Sequence, residues 1–309
     1  MMQRSPAPQQ IRPGQLILRT DGACSIDPRH LLAVFTRQRQ RFAAVLADFT
    51  PGDWAARTRC AEWSAHDVVR HLCDCNAILG RADQSVLDVT AGFDPRTSPR
   101  QWPAILADES PDATLGRFLA STGEMLALAR DRLERGQRYD VRLPYGPMDW
   151  TVLALHGFWD SWLHERDILL AQGRKHPADA DAAADAAADA AADAAADADA
   201  PAYATAYGLF VAAVVAAMFG RPVQHQQLTL SGEGGGVFDL DTSDAVTLTV
   251  TRAAVAGPPA ADVTDALAGR APIPAVLGDL PAGTRSALSC LANFFNAPAA
   301  PRAVSVPPT

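Results

Sequence analysis

The sequence predicts an antiparallel four-helix bundle followed by a small α+β domain. Four stretches between residues 28 and 173 repeat apolar side chains at three- and four-residue intervals, the signature of amphipathic helices. An alanine/aspartate tract interrupts the chain near 179–199. Beyond it, short Thr/Val-rich runs separated by Gly-rich turns replace the helical period. The division that follows is a disordered arm over 1–27, the bundle over 28–177, and a low-complexity linker over 178–200. A helix plus small α+β unit covers 201–296 and a disordered tail 297–309.

The first helix opens on Asp27 as cap with Pro28 in its first turn. Its apolar stripe is Leu31, Leu32, Phe35, Phe42, Val45, Leu46 and Phe49. Ser64-Ala-His-Asp67 reads as a capping box opening the second helix, which turns Val68, Leu72, Cys75, Ile78 and Leu79 inward. A Pro-rich connection from Phe93 to Pro111 leads to the third helix, which stops near Arg135-Gly136. The fourth runs from about Met148 to Gln172 and ends at Gly173. In the tract, Asp181, Asp185, Asp189, Asp193 and Asp197 would stack like charges at i,i+4, so a solvated linker without a function of its own is expected. The strands are HQQLTLSG, GVFDLD and AVTLTVTR; helices follow at Pro259–Gly269 and Thr284–Phe295.

The net charge of −8 includes the seven aspartates of the tract, so the remainder is close to neutral. No basic stripe exists for phosphates, which excludes nucleic acid as the expected partner. Five scattered cysteines suggest reduced thiols and a cytoplasmic location, and the polar, Pro-rich start lacks a signal-peptide core. The uncharged run Ala202–Gly220 is Ala-rich, with bulky residues at three- to four-residue intervals, so a buried helix is expected rather than a membrane span.

The second helix places His71 three residues after Val68 and four before Cys75, on its inward face. The fourth places Asp160, His164 and Asp167 at i, i+4 and i+7 on one face. Two helices of a bundle can therefore aim two imidazoles and a carboxylate at one point, the ligand set of an open zinc-type site. The same spacing also suits hydrogen-bonded core histidines, and His156 with Asp160 is an alternative ligand pair. His66 and His176 are poorly placed, and His30 and His225 have no acidic or histidine neighbour in sequence.

CAEWSAHDVVRHL resembles the GWSVxDVxxHL segment of the DinB-like, mycothiol-dependent maleylpyruvate isomerase family of actinobacteria. LPYGPMDW followed by WDSWLHERDILLA resembles its fourth-helix segment, and LTLSGEGGGVFDL through DVTDALAGR its sterol-carrier-like C-terminal domain. The resemblance implies His71, Asp160 and His164 as metal ligands, Asp167 as a hydrogen-bond partner fixing an imidazole, and Arg270 as a catalytic residue gripping a carboxylate; a helix-end arginine bonding nearby carbonyls is the alternative for Arg270. The family's isomerase has Glu where this chain has Asp160. The shorter side chain reaches roughly 1.5 Å less far, against zinc–oxygen distances of about 2.0–2.2 Å. The resemblance further implies two cofactors: a divalent metal, zinc first, and mycothiol or another low-molecular-weight thiol. The expected activity is isomerisation of a maleylpyruvate-like electrophile or thiol transfer to a small electrophile. The alternative is a non-catalytic protein that binds a metal or small ligand on the same scaffold.

Overall fold

The computed structural model describes residues 15–20, 24–60, 62–80, 106, 108–137, 140–143, 146–176 and 191–296. The bundle is made by α1 (Pro28–Ala47), α3 (Ala65–Gly80), α4 (Pro111–Glu134) and α5 (Trp150–Ala171), with the short α2 (Pro51–Ala55) between the first two. α1 and α3 each pack on both α4 and α5, which closes the ring.

Each start is set locally. Asp27 accepts a hydrogen bond from the Arg29 amide at 2.9 Å. Ser64 and Asp67 form the reciprocal capping box, with amide-to-side-chain distances of 3.0 and 3.2 Å. Asp149 accepts from the Thr151 amide at 2.8 Å, so α5 begins at Trp150, two residues later than the periodicity suggested. The residues before that cap pair instead as a hairpin, β2 (Asp140–Leu143) with β3 (Gly146–Asp149).

α6 (Ala191–Met218) joins the two halves. It packs on α1 and α5 on one side, and on the sheet, α7 (Ala260–Leu267) and α9 (Ala282–Asn296) on the other. A short α8 (Ile273–Val276) lies between α7 and α9. One continuous core therefore runs from Phe35 and Phe158 through Tyr207 and Phe210 to Phe238 and Leu288. α6 is long and apolar enough to cross a membrane, but 89% of its apolar window is buried inside the protein.

The sheet is antiparallel in the order β1 (Gln15–Arg19), β6 (Thr247–Thr251), β5 (Gly236–Asp241), β4 (Gln226–Leu230). Leu228, Leu230, Phe238, Leu240, Leu248 and Val250 form its buried face, as strict alternation requires. Gly234, at φ +78, admits the turn before β5 against the α6 backbone. A Cβ there would lie 2.6 Å from the Pro201 carbonyl carbon.

Two expectations are corrected. The loose arm expected over 1–27 contains β1, registered so that Leu18 faces Leu248. The linker expected over 178–200 is already helical from Ala191, and Asp199 is ion-paired with His30 at 2.6 Å and with Arg252. In both cases the partners are far apart in sequence, beyond the reach of periodicity. Residues 1–14, most of the Pro-rich connection, the tract over 177–190 and the tail at 297–309 lie outside the described residues.

Candidate metal centre

The caps fix the rotation of α3 and α5, and with it the direction of their polar side chains. His71 Nε2 lies 3.4 Å from Asp160 Oδ2, and His164 Nε2 lies 3.4 Å from Asp160 Oδ1. The two imidazoles meet edge to face, with centroids 5.1 Å apart. Trp63 walls the cluster, 5.0 Å from the His71 ring and 5.8 Å from the His164 ring. Asp160 Oδ2 is buried without a hydrogen-bond partner, a cost that a native protein rarely bears without a use for the atom.

Each contact is longer than an ordinary hydrogen bond and has the length of an edge between two ligands of one cation, with Asp160 turning Oδ2 to His71 and Oδ1 to His164. Two atoms each about 2.0–2.1 Å from a tetrahedral zinc lie about 3.4 Å apart, whereas an N–H···O bond is near 2.9 Å. His164 Nδ1 is 3.1 Å from Asp167 Oδ2. A proton held on Nδ1 leaves the Nε2 lone pair facing the cluster, as in the carboxylate–histidine–metal arrangement. Hence the donor set present fits a divalent cation.

Asp167 is fully buried and anchored. It accepts from Arg270 Nη2 at 2.6 Å and Nε at 3.0 Å, from Arg59 Nε at 3.2 Å, and from the Cys60 thiol at 3.1 Å. Arg59 and Arg166 both bind Asp265 of α7. A ladder of charges thus reaches from the sheet-bearing half to His164. Burial would raise the carboxyl of Asp167, but Arg270 and His164 hold it far below the usual carboxylate range. Burial likewise opposes ionisation of Asp160, and the two histidines overcome it, holding it well below the usual range. Burial disfavours the His164 cation, while Asp160 and Asp167 draw that group well above the ordinary imidazole value.

The structure therefore brings His71, Asp160 and His164 together. It sets Arg270 behind them, against Asp167. His156 is not in the cluster; its Nδ1 is 2.8 Å from the Tyr207 hydroxyl. His66 meets Thr114 at 2.7 Å, and His176 faces Glu165 at 3.6 Å. Sequence reasoning passed over Cys75, whose Sγ is 3.4 Å from His71 Nε2, and over Cys60, Arg59 and Asp265. The i,i+4 spacing of His71 and Cys75 was a usable signal for the first. The other three are joined only through the tertiary fold.

The fold and this site define a helical-bundle protein with a candidate metal-ligand cluster between two facing helices. Residues 35–169 match the family described as the mycothiol maleylpyruvate isomerase N-terminal domain. A crystal structure of the mycothiol-dependent maleylpyruvate isomerase is similar to the chain at a TM-score of 0.52 and 11% identity. The match covers 80% of this chain and 90% of that one, and it shows a shared fold. A structure of a histidine-to-alanine mutant of that isomerase matches over the same shares at 0.49 and 11%. No curated protein sequence matches the chain significantly.

Proposed function

We propose that the protein is a cytoplasmic, metal-dependent enzyme that uses mycothiol or a similar low-molecular-weight thiol to isomerise a small, maleylpyruvate-like electrophile, or to transfer the thiol to it. The observation that carries this reading is the approach of both Nε2 atoms to Asp160 at 3.4 Å, with His164 Nδ1 engaged by Asp167. A divalent cation such as zinc, held by His71, Asp160 and His164, would lower the pKa of a thiol brought to it and present a thiolate at neutral pH.

The chain's own residues do the rest. Asp167 keeps the proton on His164 Nδ1 and so fixes the ring that faces the site. Arg270 spends Nε and Nη2 on Asp167 and Cys60, and its Nη1 donates to the Ala268 carbonyl at 2.6 Å. In this reading it acts first through Asp167, and a substrate carboxylate is a further acceptor at Nη1. Trp63 shields the imidazoles from water on one side. A thiol held there would supply reversible addition to an activated double bond, which permits cis–trans isomerisation, or addition that keeps the sulfur on the substrate while the substrate carbon takes up the thiol's proton.

The test is turnover of maleylpyruvate with and without mycothiol, in wild type, Asp160→Ala and Asp160→Glu. Thiol-dependent turnover that disappears in Asp160→Ala supports the reading. Turnover that is indifferent to the thiol, or unchanged in Asp160→Ala, would overturn it. Bound metal with no thiol-dependent turnover of maleylpyruvate or of a test epoxide would favour the binding-only alternative, which the closeness of Cys75 to the cluster makes concrete.

A further inference from the structure

We propose that Cys75 Sγ is a fourth protein ligand of this cation, so that the resting site is His71, Cys75, Asp160 and His164. The inference rests on the metal-site reading above and goes beyond it, because that reading leaves the fourth position to an incoming thiol.

The geometry carries it. His71 and Cys75 are i,i+4 on α3, and Asp160 and His164 are i,i+4 on α5; two such pairs on facing helices are how bundles build four-ligand centres. Cys75 Sγ lies 3.4 Å from His71 Nε2, the same atom that faces Asp160. In a tetrahedral zinc site with bonds of about 2.3 Å to sulfur and about 2.0–2.1 Å to nitrogen, that edge is about 3.6 Å. His71, Cys75 and Asp160 offer ligand atoms within 4.8 Å of one another, and His164 joins them through Asp160, its Nε2 3.4 Å from Oδ1. Asp160 Oδ2, which faces His71 but has no hydrogen-bond partner, is among the candidates. As Sγ takes the cation its proton leaves to solvent, which balances the step.

Among the described residues one other group has comparable spacing: Cys60, His164 and Asp167. Arg270 Nη2 already sits 3.1 Å from Cys60 Sγ and 2.6 Å from Asp167 Oδ2, with Arg59 at 3.2 Å from the same carboxylate. A divalent cation there would meet two guanidinium groups hydrogen-bonded to its ligands, whereas among the described residues no guanidinium hydrogen-bonds the Cys75 thiol or the Asp160 carboxylate, and Arg39, which donates to Asn76, acts on them only through its charge. The cation therefore belongs with Cys75. Four protein ligands close the tetrahedron, and an incoming thiol must displace Cys75 or enter as a fifth ligand.

Cobalt(II) in thiol-free buffer tests this, because a coordinated thiolate gives cobalt a near-ultraviolet charge-transfer band that His and Asp ligands do not. Wild type and Cys60→Ser should show the band at about one cobalt per chain. Cys75→Ser and Cys75→Ala should bind cobalt without it, and bind zinc more than about tenfold more weakly. Cobalt bound by wild type without the band would overturn the inference and leave the three-ligand reading standing. A band lost in Cys60→Ser but kept in Cys75→Ser would overturn it in favour of the other cluster. No cobalt bound by wild type would overturn both.

Discussion

Asp167→Asn removes one negative charge while nearly preserving shape. In the wild type that carboxylate has no solvent exposure and neutralises Arg270, whose side chain is only 15% exposed. Asparagine turns one oxygen into an N–H donor facing guanidinium donors. Arg59 keeps Asp265 as a partner at 2.7 Å, so the penalty falls chiefly on Arg270, left with the Ala268 carbonyl and Cys60. Removing one partner of a buried ion pair costs about 3–5 kcal/mol. At roughly 2 °C per kcal/mol for a chain of this size, the melting temperature should fall by about 6–10 °C. The same change frees His164 Nδ1, and loss of such a partner lowers metal affinity about 10–100-fold. Scanning calorimetry and competitive zinc titration measure the two effects separately. Adding Arg270→Met to Asp167→Asn should recover part of the stability, because the stranded charge is gone, without recovering metal affinity. A melt within about 2 °C of wild type, together with unchanged zinc affinity, would refute the roles given to both residues.

Glu165 gives a pH signature. Burial would raise its carboxyl, but Arg41 and His176 bring it down to about 2 from an ordinary 4.5. A depressed folded-state value contributes stability that is complete above the unfolded value and is lost as pH falls from about 5 towards 2, in all about 3 kcal/mol. Glu165→Gln should flatten the stability profile over that window by about this amount; an unchanged slope in acid unfolding would contradict it. Gly157→Ala tests the contact between α3 and α5, since its Cβ would lie 2.4 Å from Leu79 Cδ1. Leu79 borders a small apolar cavity with Leu32, Phe35 and Met125, so it can partly yield. The expected cost is about 1–2 kcal/mol in denaturant unfolding; a more stable variant would show that the contact is slack.

How much of this was legible depended on the range of each interaction. Helix starts were visible because Asp27, Ser64 and Asp67 cap within three residues of themselves, and the three strands of the second half because alternation is local. The convergence of His71 on Asp160 and His164 could be anticipated, since two i,i+4 faces meet wherever amphipathic helices pack. β1 was hidden because QLILR is a short apolar run whose partner strand lies more than two hundred residues away. The His30–Asp199 pair was hidden for the same reason, and because Asp199 sits in a tract whose composition suggests solvated linker. Cys75 read as an inward core residue, which is compatible with its position; what the sequence could not supply was the 3.4 Å approach to His71. Asp265 looked like any helix acid until Arg59 and Arg166 closed on it.

The most direct test of the central assignment is metal analysis of the purified protein, followed by zinc titration of the stripped protein, in wild type, His71→Ala and His164→Ala. The geometry at Asp160 predicts about one divalent cation per wild-type chain, tightly held, and a loss of affinity of well over 100-fold in each variant, more than removing a ligand's hydrogen-bond partner costs. Substoichiometric metal in the wild type that stays the same in His164→Ala would contradict it.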